Sequence, residues 1–302
     1  MAVMNSNDAL TEHEAWLVLK AACRHGGLAS DGAELVRIGS NAVYRLREQP
    51  VIVRISRDGA LEDVRRQVNV ARWLVGEGYP ATRALDLEQP IVVRGRAVTF
   101  WESASERTDY ASLEQVGRLL RWLHRLTSPK DLALPEKCPF DDDIGDRLAY
   151  LEGLPAADAG YLRERLADVQ LRYAALDFVL TPGVIHGDAN IGNVILDRAG
   201  EPVLIDLDGF CTGPREWDLV QTALFYERFG WHTAGEYRQF VDAYGFDIMD
   251  WPGYPVLADY REIAMTLWLC GKAQWDQEAA AEVTKRVSSM RDGGDRRDWE
   301  PF

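Results

Sequence analysis

Apolar residues recur at helical spacing near the start of the chain and then give way to short alternating runs. Thr11 and Glu14 form a capping-box signature, and the apolar positions after them keep a helical period until a Gly-Gly pair ends it. Between residues 34 and 100, β-type runs are separated by turn residues, with one helical period over residues 61–75. The pattern predicts an opening helix and a small sheet with one inserted helix.

The pattern changes beyond residue 103. A polar stretch over residues 102–109 is followed by Ser112 and Gln115, a second capping-box signature that begins an amphipathic helix. Later helical periods cover residues 157–176, 216–229, 234–244 and 256–275. We therefore predict two domains, 1–103 and 104–302, in an α+β fold with a small sheet-based part and a larger helical part. The charged tail from Arg291 is expected to be frayed and solvated.

Composition and charge narrow the class of protein. The 302 residues are 47% apolar and 27% charged, which is typical of a folded globular protein. The formal net charge of −14 disfavours binding to nucleic acid and to anionic lipid surfaces. No nucleic-acid or membrane partner is therefore expected.

The four cysteines lie far apart at positions 23, 138, 211 and 270 and form no C-x-x-C pair. This spacing indicates neither a zinc site nor a disulfide framework, and reduced thiols fit a cytoplasmic protein. The longest apolar stretch, residues 263–270, is too short to span a bilayer, and no signal peptide is indicated at the N-terminus. We expect a cytoplasmic location.

The candidate functional residues are concentrated between residues 183 and 210, where three apolar runs surround a polar loop and a turn. If residues 194–196 and 203–205 form a hairpin that pairs Leu196 with Val203, Asn193 lies opposite Asp206. Asp188 lies earlier on the adjoining loop. The sequence thus predicts a group of oxygen ligands suited to Mg²⁺.

Three motifs in this region resemble the aminoglycoside phosphotransferases and related small-molecule kinases. Residues 186–193 match the HGDxxxxN loop of that family, residues 205–208 its IDxD segment, and residues 213–218 its GPxxWD element. The weaker resemblance extends from about Gly39 to Val287. It implies a protein-kinase-like fold with two lobes, in which the smaller N-terminal lobe binds the nucleotide.

The resemblance also implies roles for individual residues. Asp188 would accept or orient the proton of the acceptor hydroxyl, and His186 would order the loop. Asn193 and Asp206 would hold Mg²⁺ as cofactor. The remaining motif carboxylates are Asp208, either a metal-site neighbour or an anchor for the loop, and Asp218, a helix cap that also ties down the loop.

The nucleotide side departs from the protein-kinase pattern. Ser40 and Asn41 resemble the phosphate-covering loop, although a GxGxxG signature is absent and a plain β-turn is the alternative. Arg54 stands where kinases carry the phosphate-binding lysine, unless it is a solvent-facing strand residue. Gln67 stands in place of the usual glutamate partner and is expected to support Arg54 by a hydrogen bond.

The segment that leaves the predicted sheet is expected to bind the purine base. Trp101, Glu102 and Ser103 occupy this segment, whose backbone contacts the base in kinases. Backbone contacts do not distinguish the two purines, so the co-substrate is ATP or GTP.

The last third of the chain suggests a binding site for the acceptor. Residues 207–302 contain 17 acidic and 10 basic residues and six of the ten tryptophans. Carboxylates recognise ammonium groups and aromatic faces pack on sugars, so a cationic sugar or aminoglycoside-like acceptor is the natural interpretation. Ordinary core packing is the alternative, and it applies first to Trp217 and Trp268. The candidate acceptor ligands are Glu216, Glu227, Asp259, Glu262, Asp276 and Trp231.

The leading hypothesis is an ATP-dependent O-phosphotransferase acting on an antibiotic or amino sugar, as a monomer or homodimer. A metabolic kinase for choline, homoserine or a sugar is an alternative, and so is a catalytically silent kinase-like binding module. A metal-dependent hydrolase is the third class, but only five histidines are present and just one lies in the motif region.

Overall fold

The computed structural model describes residues 10–39, 41–140 and 142–302, and these form two compact units. Unit 1 contains the described residues up to Ala111 together with Leu126–Leu134 and Ile191–Phe210; unit 2 contains Ser112–Arg125, Pro135–Asn190 and Cys211–Phe302. This division differs from the predicted boundary at residue 103. The segment of residues 191–210, which carries the whole IDxD segment and the end of the HGDxxxxN loop, packs within unit 1.

Unit 1 is built on an antiparallel sheet. Its strands are β1 (Glu34–Ile38), β2 (Ala42–Arg45), β3 (Val51–Asp58), β4 (Ile91–Val93) and β5 (Arg96–Glu102), in the order β1-β2-β3-β5-β4. Two helices accompany the sheet, α1 (Glu12–His25) and α2 (Leu61–Gly76). The predicted opening helix, strands and inserted helix are confirmed.

Helix α1 begins where its capping box predicts. The Thr11 hydroxyl accepts a hydrogen bond from the backbone of Glu14, whose carboxylate accepts one from the backbone of Thr11. The apolar face of α1 then packs on the sheet, where Leu19, Val53 and Phe100 are fully buried. Burial of such side chains contributes roughly 1.5–3 kcal/mol each, so α1 is part of the core of unit 1.

The remaining strands are short. They are β6 (Gly183–Ile185), β7 (Val194–Leu196), β8 (Pro202–Leu204) and β9 (Cys211–Gly213). Strands β7 and β8 form a hairpin in unit 1, where the amide of Thr82 donates to the carbonyl of Leu204 at 2.8 Å and that of Ala111 to Val194 at 3.0 Å. These bonds on both edges explain why the hairpin belongs to unit 1.

Unit 2 is mainly helical, with β6 and β9 paired antiparallel. Its helices are α3 (Leu113–Leu123), α4 (Asp142–Arg147), α5 (Ala156–Ala174), α6 (Glu216–Glu227), α7 (Ala234–Tyr244), α8 (Tyr254–Lys272) and α9 (Gln277–Asp292). The predicted helices are confirmed, whereas α4 and α9 lacked a predicted counterpart. Within the part of the chain that the structure describes, no helix combines the length and apolar content needed to cross a bilayer.

The C-terminal tail is anchored at Trp299, whereas its charge predicts a frayed and solvated end, and most of its other residues are exposed. Trp299 is only 2% exposed and packs against Phe229 with ring centroids 5.0 Å apart and the ring planes tilted by 34°. The Arg286 guanidinium lies 4.9 Å from the centroid of the Trp299 ring, and the amide of Glu300 donates to Glu282 at 3.0 Å. The tail therefore packs on α9 and contributes to the core of unit 2.

Candidate active site

Unit 1 contains a cavity of about 400 Å³ on one face of its sheet, a volume in the range of small-molecule sites. Because side chains alternate along a strand, Val43 and Arg45 from β2 and Ile52 and Arg54 from β3 line it together. Their neighbours in sequence point to the core. Of the predicted nucleotide and metal ligands, the lining contains Arg54, Gln67, Trp101, Glu102, Ser103, Asn193 and Asp206.

The hairpin brings the predicted metal ligands to this cavity in a different register from the one expected. Leu196 pairs with Pro202 rather than with Val203, and the amide of Ile205 donates to the carbonyl of Asn193 at 2.9 Å. Asp206 therefore lies one residue beyond the position opposite Asn193. Its backbone takes the left-handed conformation, with φ 60° and ψ 66°, and the chain turns there into a short 3₁₀ segment.

Arg54 lies among carboxylates. Its Nη1 atom is 3.5 Å from Asp206 Oδ1, and its Nη2 atom donates a short hydrogen bond to Asp208. Burial lowers the pKa of Arg54, but the carboxylates of Asp208 and Asp206 outweigh this effect and raise it. Asp208 is thus a direct partner of Arg54, and Arg54 is not a solvent-facing strand residue, since its side chain is 17% exposed.

Asp206 has the character expected of a metal ligand. Burial, and then the neighbouring charge of Asp208, raise its pKa, and Arg54 opposes this shift. Among the described residues its buried Oδ1 atom forms no hydrogen bond, and its ion pair with Arg54 Nη1 is long at 3.5 Å. No group of three or more His, Cys, Asp or Glu side chains in the described ranges could hold a metal alone. The carboxylate and carboxamide oxygens present here fit Mg²⁺, which takes few protein ligands and completes its shell with water and phosphate.

The segment after β5 uses much of its backbone within unit 1. The amide of Glu102 donates to the Arg83 carbonyl at 2.8 Å, and that of Ser103 to the Pro50 carbonyl at 2.7 Å. The Ser103 hydroxyl accepts a hydrogen bond from Arg45 at 3.0 Å. A base bound at this edge of the cavity therefore has to use other backbone groups than these two amides.

The predicted phosphate-covering loop contributes less to the cavity. Ser40 lies outside the described residues. The carbonyl of Asn41 accepts a hydrogen bond from the amide of Gly39 at 3.1 Å, and the described lining of the cavity does not include Asn41. Gln67 does line the cavity and is 8% exposed on α2.

The HGD loop is anchored inside unit 2. Gly187 has φ 85°, a left-handed conformation in which a residue with a Cβ atom is strained. The carboxylate of Asp218 accepts hydrogen bonds from the amides of His186 at 2.7 Å and Gly187 at 2.8 Å. The indole of Trp217 donates to the Gly187 carbonyl at 2.8 Å. These bonds fix the backbone that leads into Asp188.

Asp218 is fully buried, and its side chain forms no cap on α6. Burial would raise its pKa, but a hydrogen bond from His124 and the interactions with His186 outweigh this and lower it. His124 Nε2 lies 3.0 Å from Asp218 Oδ2, and its Nδ1 lies 2.8 Å from the Tyr244 hydroxyl. Sequence reasoning missed His124 because it lies outside every motif.

Asp188 itself is half exposed and pairs with an arginine that no sequence motif indicates. Nη2 of Arg261, on α8, donates to Asp188 Oδ1 at 2.8 Å. The side chains of Asp188 and Arg261 are 54% and 12% exposed. Because α8 follows Asp188 by more than sixty residues, no local spacing could have indicated the pair.

The structure gives the candidate acceptor carboxylates other partners. Glu216 is fully buried and accepts two backbone hydrogen bonds, from Val179 and Leu180, each at 2.8 Å. Asp276 caps α9 by accepting from the amides of residues 278 and 279. Asp259 forms ion pairs with three arginines, Arg165, Arg172 and Arg228. These carboxylates therefore stabilise unit 2 rather than present free negative charge.

The other three candidates are also engaged. Glu262 is 1% exposed and pairs with Arg228 at 3.1 Å and Arg296 at 3.3 Å. Glu227 accepts a hydrogen bond from the Tyr254 hydroxyl at 3.1 Å. The Trp231 indole donates to the Trp299 carbonyl at 3.1 Å. All six candidate side chains thus have partners inside unit 2, which disfavours a strongly cationic acceptor pocket built from them.

We expect Asp218→Asn to destabilise unit 2 by about 3 kcal/mol, because it removes a buried charge that accepts several hydrogen bonds. The pKa of Asp218 is lowered from its ordinary value of 3.8. Its contribution to stability is therefore complete above pH 3.8 and is lost as the pH falls through the lower folded-state pKa. Urea unfolding of both proteins at pH 7 and below pH 3.8 measures this difference.

Asp158→Asn is the control for that measurement. Asp158 pairs with Arg291 at 2.7 Å on the surface of unit 2, so its loss should cost less than about 1 kcal/mol. Equal stability of the Asp158 and Asp218 variants at pH 7 would contradict the anchoring role of Asp218.

Solved structures share this architecture at low sequence identity. An amicoumacin kinase bound to AMP-PNP and Ca²⁺ superposes with a TM-score of 0.69 at 14% identity, covering 96% of this chain and 98% of that one. A choline kinase from Streptococcus pneumoniae superposes with a TM-score of 0.63 at 17% identity, and the match covers 92% of this chain and 100% of the choline kinase. A spectinomycin phosphotransferase bound to ADP and spectinomycin superposes with a TM-score of 0.63 at 14% identity. That match covers 91% of this chain and 93% of the phosphotransferase. The fold is therefore the kinase-like fold of small-molecule phosphotransferases.

Sequence comparison then gives the family. The model of the phosphotransferase enzyme family matches residues 34–260, three quarters of the chain, and the chain belongs to that family. A probable ketoamine kinase from Lactiplantibacillus plantarum is 50% identical over 44 residues. That match spans 15% of this chain and 15% of the curated relative. The family resemblance and the α+β fold expected from the sequence are confirmed.

Proposed function

We propose that the protein is an ATP-dependent O-phosphotransferase that moves the γ-phosphoryl group to a hydroxyl of a small molecule. The observation that carries the proposal is the cavity of unit 1, which gathers Arg54, Asn193 and Asp206 on one face of the sheet. A cation for phosphate oxygens and two oxygen ligands for a divalent metal are the groups that a bound nucleoside triphosphate requires.

Each residue of the cavity has a defined task in this proposal. Asn193 and Asp206 would hold Mg²⁺, which neutralises charge on the phosphates when bound. Arg54 would bind the α- and β-phosphates through its planar guanidinium. The segment of Trp101, Glu102 and Ser103 would contact the base, and ATP and GTP are both compatible with it.

Asp188 accepts the proton in this reaction. The acceptor oxygen forms a bond to the γ-phosphorus, the bond from that phosphorus to the bridging oxygen breaks, and the nucleoside diphosphate leaves with the electron pair. The hydroxyl proton passes to the carboxylate of Asp188, whose loop is fixed by Asp218 and Trp217. The presence of Asp188, Asn193 and Asp206 supports an active enzyme over a silent binding module.

The acceptor is a small hydroxylated molecule, of which antibiotics and amino sugars are the first class to test. The internal pairing of the candidate carboxylates removes the main reason to expect a strongly cationic acceptor. A metabolic acceptor is the second candidate, and the local match to a probable ketoamine kinase favours it.

A screen of acceptors with ATP and with GTP tests the proposal. Mass spectrometry should detect a gain of one phosphate on at least one hydroxylated acceptor, dependent on Mg²⁺ and on nucleotide. Acceptor-independent phosphate release from a phosphoester would instead indicate a hydrolase. Nucleotide binding without turnover for any acceptor would indicate a silent module.

Arg54→Ala should raise the KM for ATP by about tenfold or more and lower kcat less, because a phosphate contact exists in ground and transition states alike. Arg54→Lys should recover only part of the loss, since a point charge does not reproduce a planar guanidinium. Arg47→Ala, on the loop after β2, is the control and should leave the KM for ATP unchanged. An unchanged KM in Arg54→Ala would place the phosphate site elsewhere.

A further inference from the structure

One arginine of unit 2 has the HGD loop as its ionic partner. Arg261 Nη2 lies 2.8 Å from Asp188 Oδ1, and the arginine side chain is only 12% exposed. A charge-assisted hydrogen bond of this length is directional and limits the orientations open to the carboxylate. The half-exposed Asp188 is thus held at one oxygen by a largely buried cation.

Trp217 contacts the guanidinium of Arg261 and also binds the HGD loop. The guanidinium of Arg261 lies 5.6 Å from the centroid of the indole ring, within the range of a cation–π contact. The indole nitrogen donates to the carbonyl of Gly187, next to Asp188. Because one side chain contacts both the cation and the loop, the position of Arg261 relative to Asp188 is fixed at two points.

The nearby charged residue Asp259 of α8 forms ion pairs in which Arg261 takes no part. Asp259 lies two positions before Arg261, so the two side chains leave the helix in roughly opposite directions. Asp259 joins Arg165, Arg172 and Arg228 in ion pairs that bind α8 to α5 and to the residue that follows α6. Arg261 is not part of that network, and its Nε atom is buried without a hydrogen-bond partner in the described ranges.

We propose that Arg261 is a positioning residue for phosphoryl transfer, which holds the carboxylate of Asp188 in the orientation that receives the proton of the acceptor hydroxyl. The inference rests on the proposed function. Arg261 donates hydrogen bonds and exchanges no proton, since a guanidinium stays protonated at any working pH. The proton still moves from the acceptor to Asp188, and Arg261 fixes where that carboxylate lies.

The proposal predicts a specific kinetic pattern. Arg261→Gln should lower kcat by about 10- to 100-fold, because a misplaced base slows the step that it serves. The KM values for ATP and for the acceptor should change by less than about threefold, because Arg261 acts through Asp188 and not through either substrate. Arg261→Lys should recover part of kcat by restoring the positive charge.

A double variant separates positioning from an independent contribution. If Arg261 acts through Asp188, the Asp188→Asn/Arg261→Gln protein should be no slower than Asp188→Asn alone. Multiplied losses would show that Arg261 acts by another route, and a loss confined to the acceptor KM would make it an acceptor ligand. Arg291→Gln is the matched control, since it removes a surface arginine–aspartate pair of similar length and should leave kcat unchanged.

Crystal structures of the wild type and Arg261→Gln, both without acceptor, provide a readout that needs no activity. We expect the Asp188 side chain to leave its orientation or to occupy several orientations in the variant. A single unchanged Asp188 rotamer, or a kcat within about twofold of the wild type, would overturn the proposal. A wild type that phosphorylates no acceptor would overturn the proposed function instead, and the Asp188 orientation would still decide whether Arg261 positions it.

Discussion

Asp188→Asn should lower kcat by about three orders of magnitude, ~4 kcal/mol of transition-state free energy, while the Kd for Mg·ATP changes by less than about twofold. An asparagine retains the size of the side chain and one oxygen but cannot accept the hydroxyl proton. The described residues that line the proposed nucleotide cavity all belong to unit 1, whereas Asp188 belongs to unit 2. Binding of the nucleotide and transfer of the proton are therefore separable.

Rapid-quench measurement of product formation and calorimetry with a non-hydrolysable ATP analogue test this pair of expectations. Asp292→Asn is the control, because Asp292 is an exposed aspartate on α9 that pairs with Arg291. A loss of nucleotide affinity as large as the loss of kcat would assign Asp188 to nucleotide binding and remove it from proton transfer.

Asp206→Asn should weaken Mg·ATP binding at least about 100-fold, ~2.7 kcal/mol, because in the proposed site it replaces a charged metal ligand by a neutral one. Asparagine tolerates the left-handed backbone at this position, so the substitution changes the charge without changing the turn. Affinity for ATP in the presence of EDTA should differ little between the two proteins, since the metal contact is then absent from both.

Asp208→Asn is the matched comparison, because it removes the neighbouring carboxylate that binds Arg54. Asp208→Asn should change the Mg²⁺ dependence of nucleotide binding less than Asp206→Asn does. The reverse order, with Mg²⁺ dependence retained in Asp206→Asn and lost in Asp208→Asn, would move the metal to Asp208. Magnesium titrations of nucleotide binding in the three proteins distinguish these results.

The elements of the fold could be predicted where local chemistry determines them. The capping boxes at Thr11 and Ser112 place two helix starts correctly, since both halves of each box lie within four residues. The register of the β7–β8 hairpin was predicted one residue out of place. Asp197 accepts hydrogen bonds from the amides of residues 199 and 201 and closes the turn there, so Pro202 joins the strand instead of the turn.

The residues that bind the acceptor could not be predicted, because a sequence shows how many charged side chains there are but not which side chains they pair with. Asp259 and Glu262 look like free carboxylates in a list of residues, yet four arginines from other elements neutralise them. The same reason applies to the tail, whose charged residues form pairs and leave Trp299 buried. Long-range pairing also produces the Asp188–Arg261 contact, which no motif contains.

The backbone at Asp206 has a consequence for the evolution of this site. A residue with a Cβ atom in the left-handed conformation costs about 1–2 kcal/mol relative to glycine. Glycine at position 206 would relieve that strain but would also remove the carboxylate that pairs with Arg54. The strained backbone therefore marks Asp206 as a position where the carboxylate is worth more than a relaxed turn, which is what the proposed metal role requires.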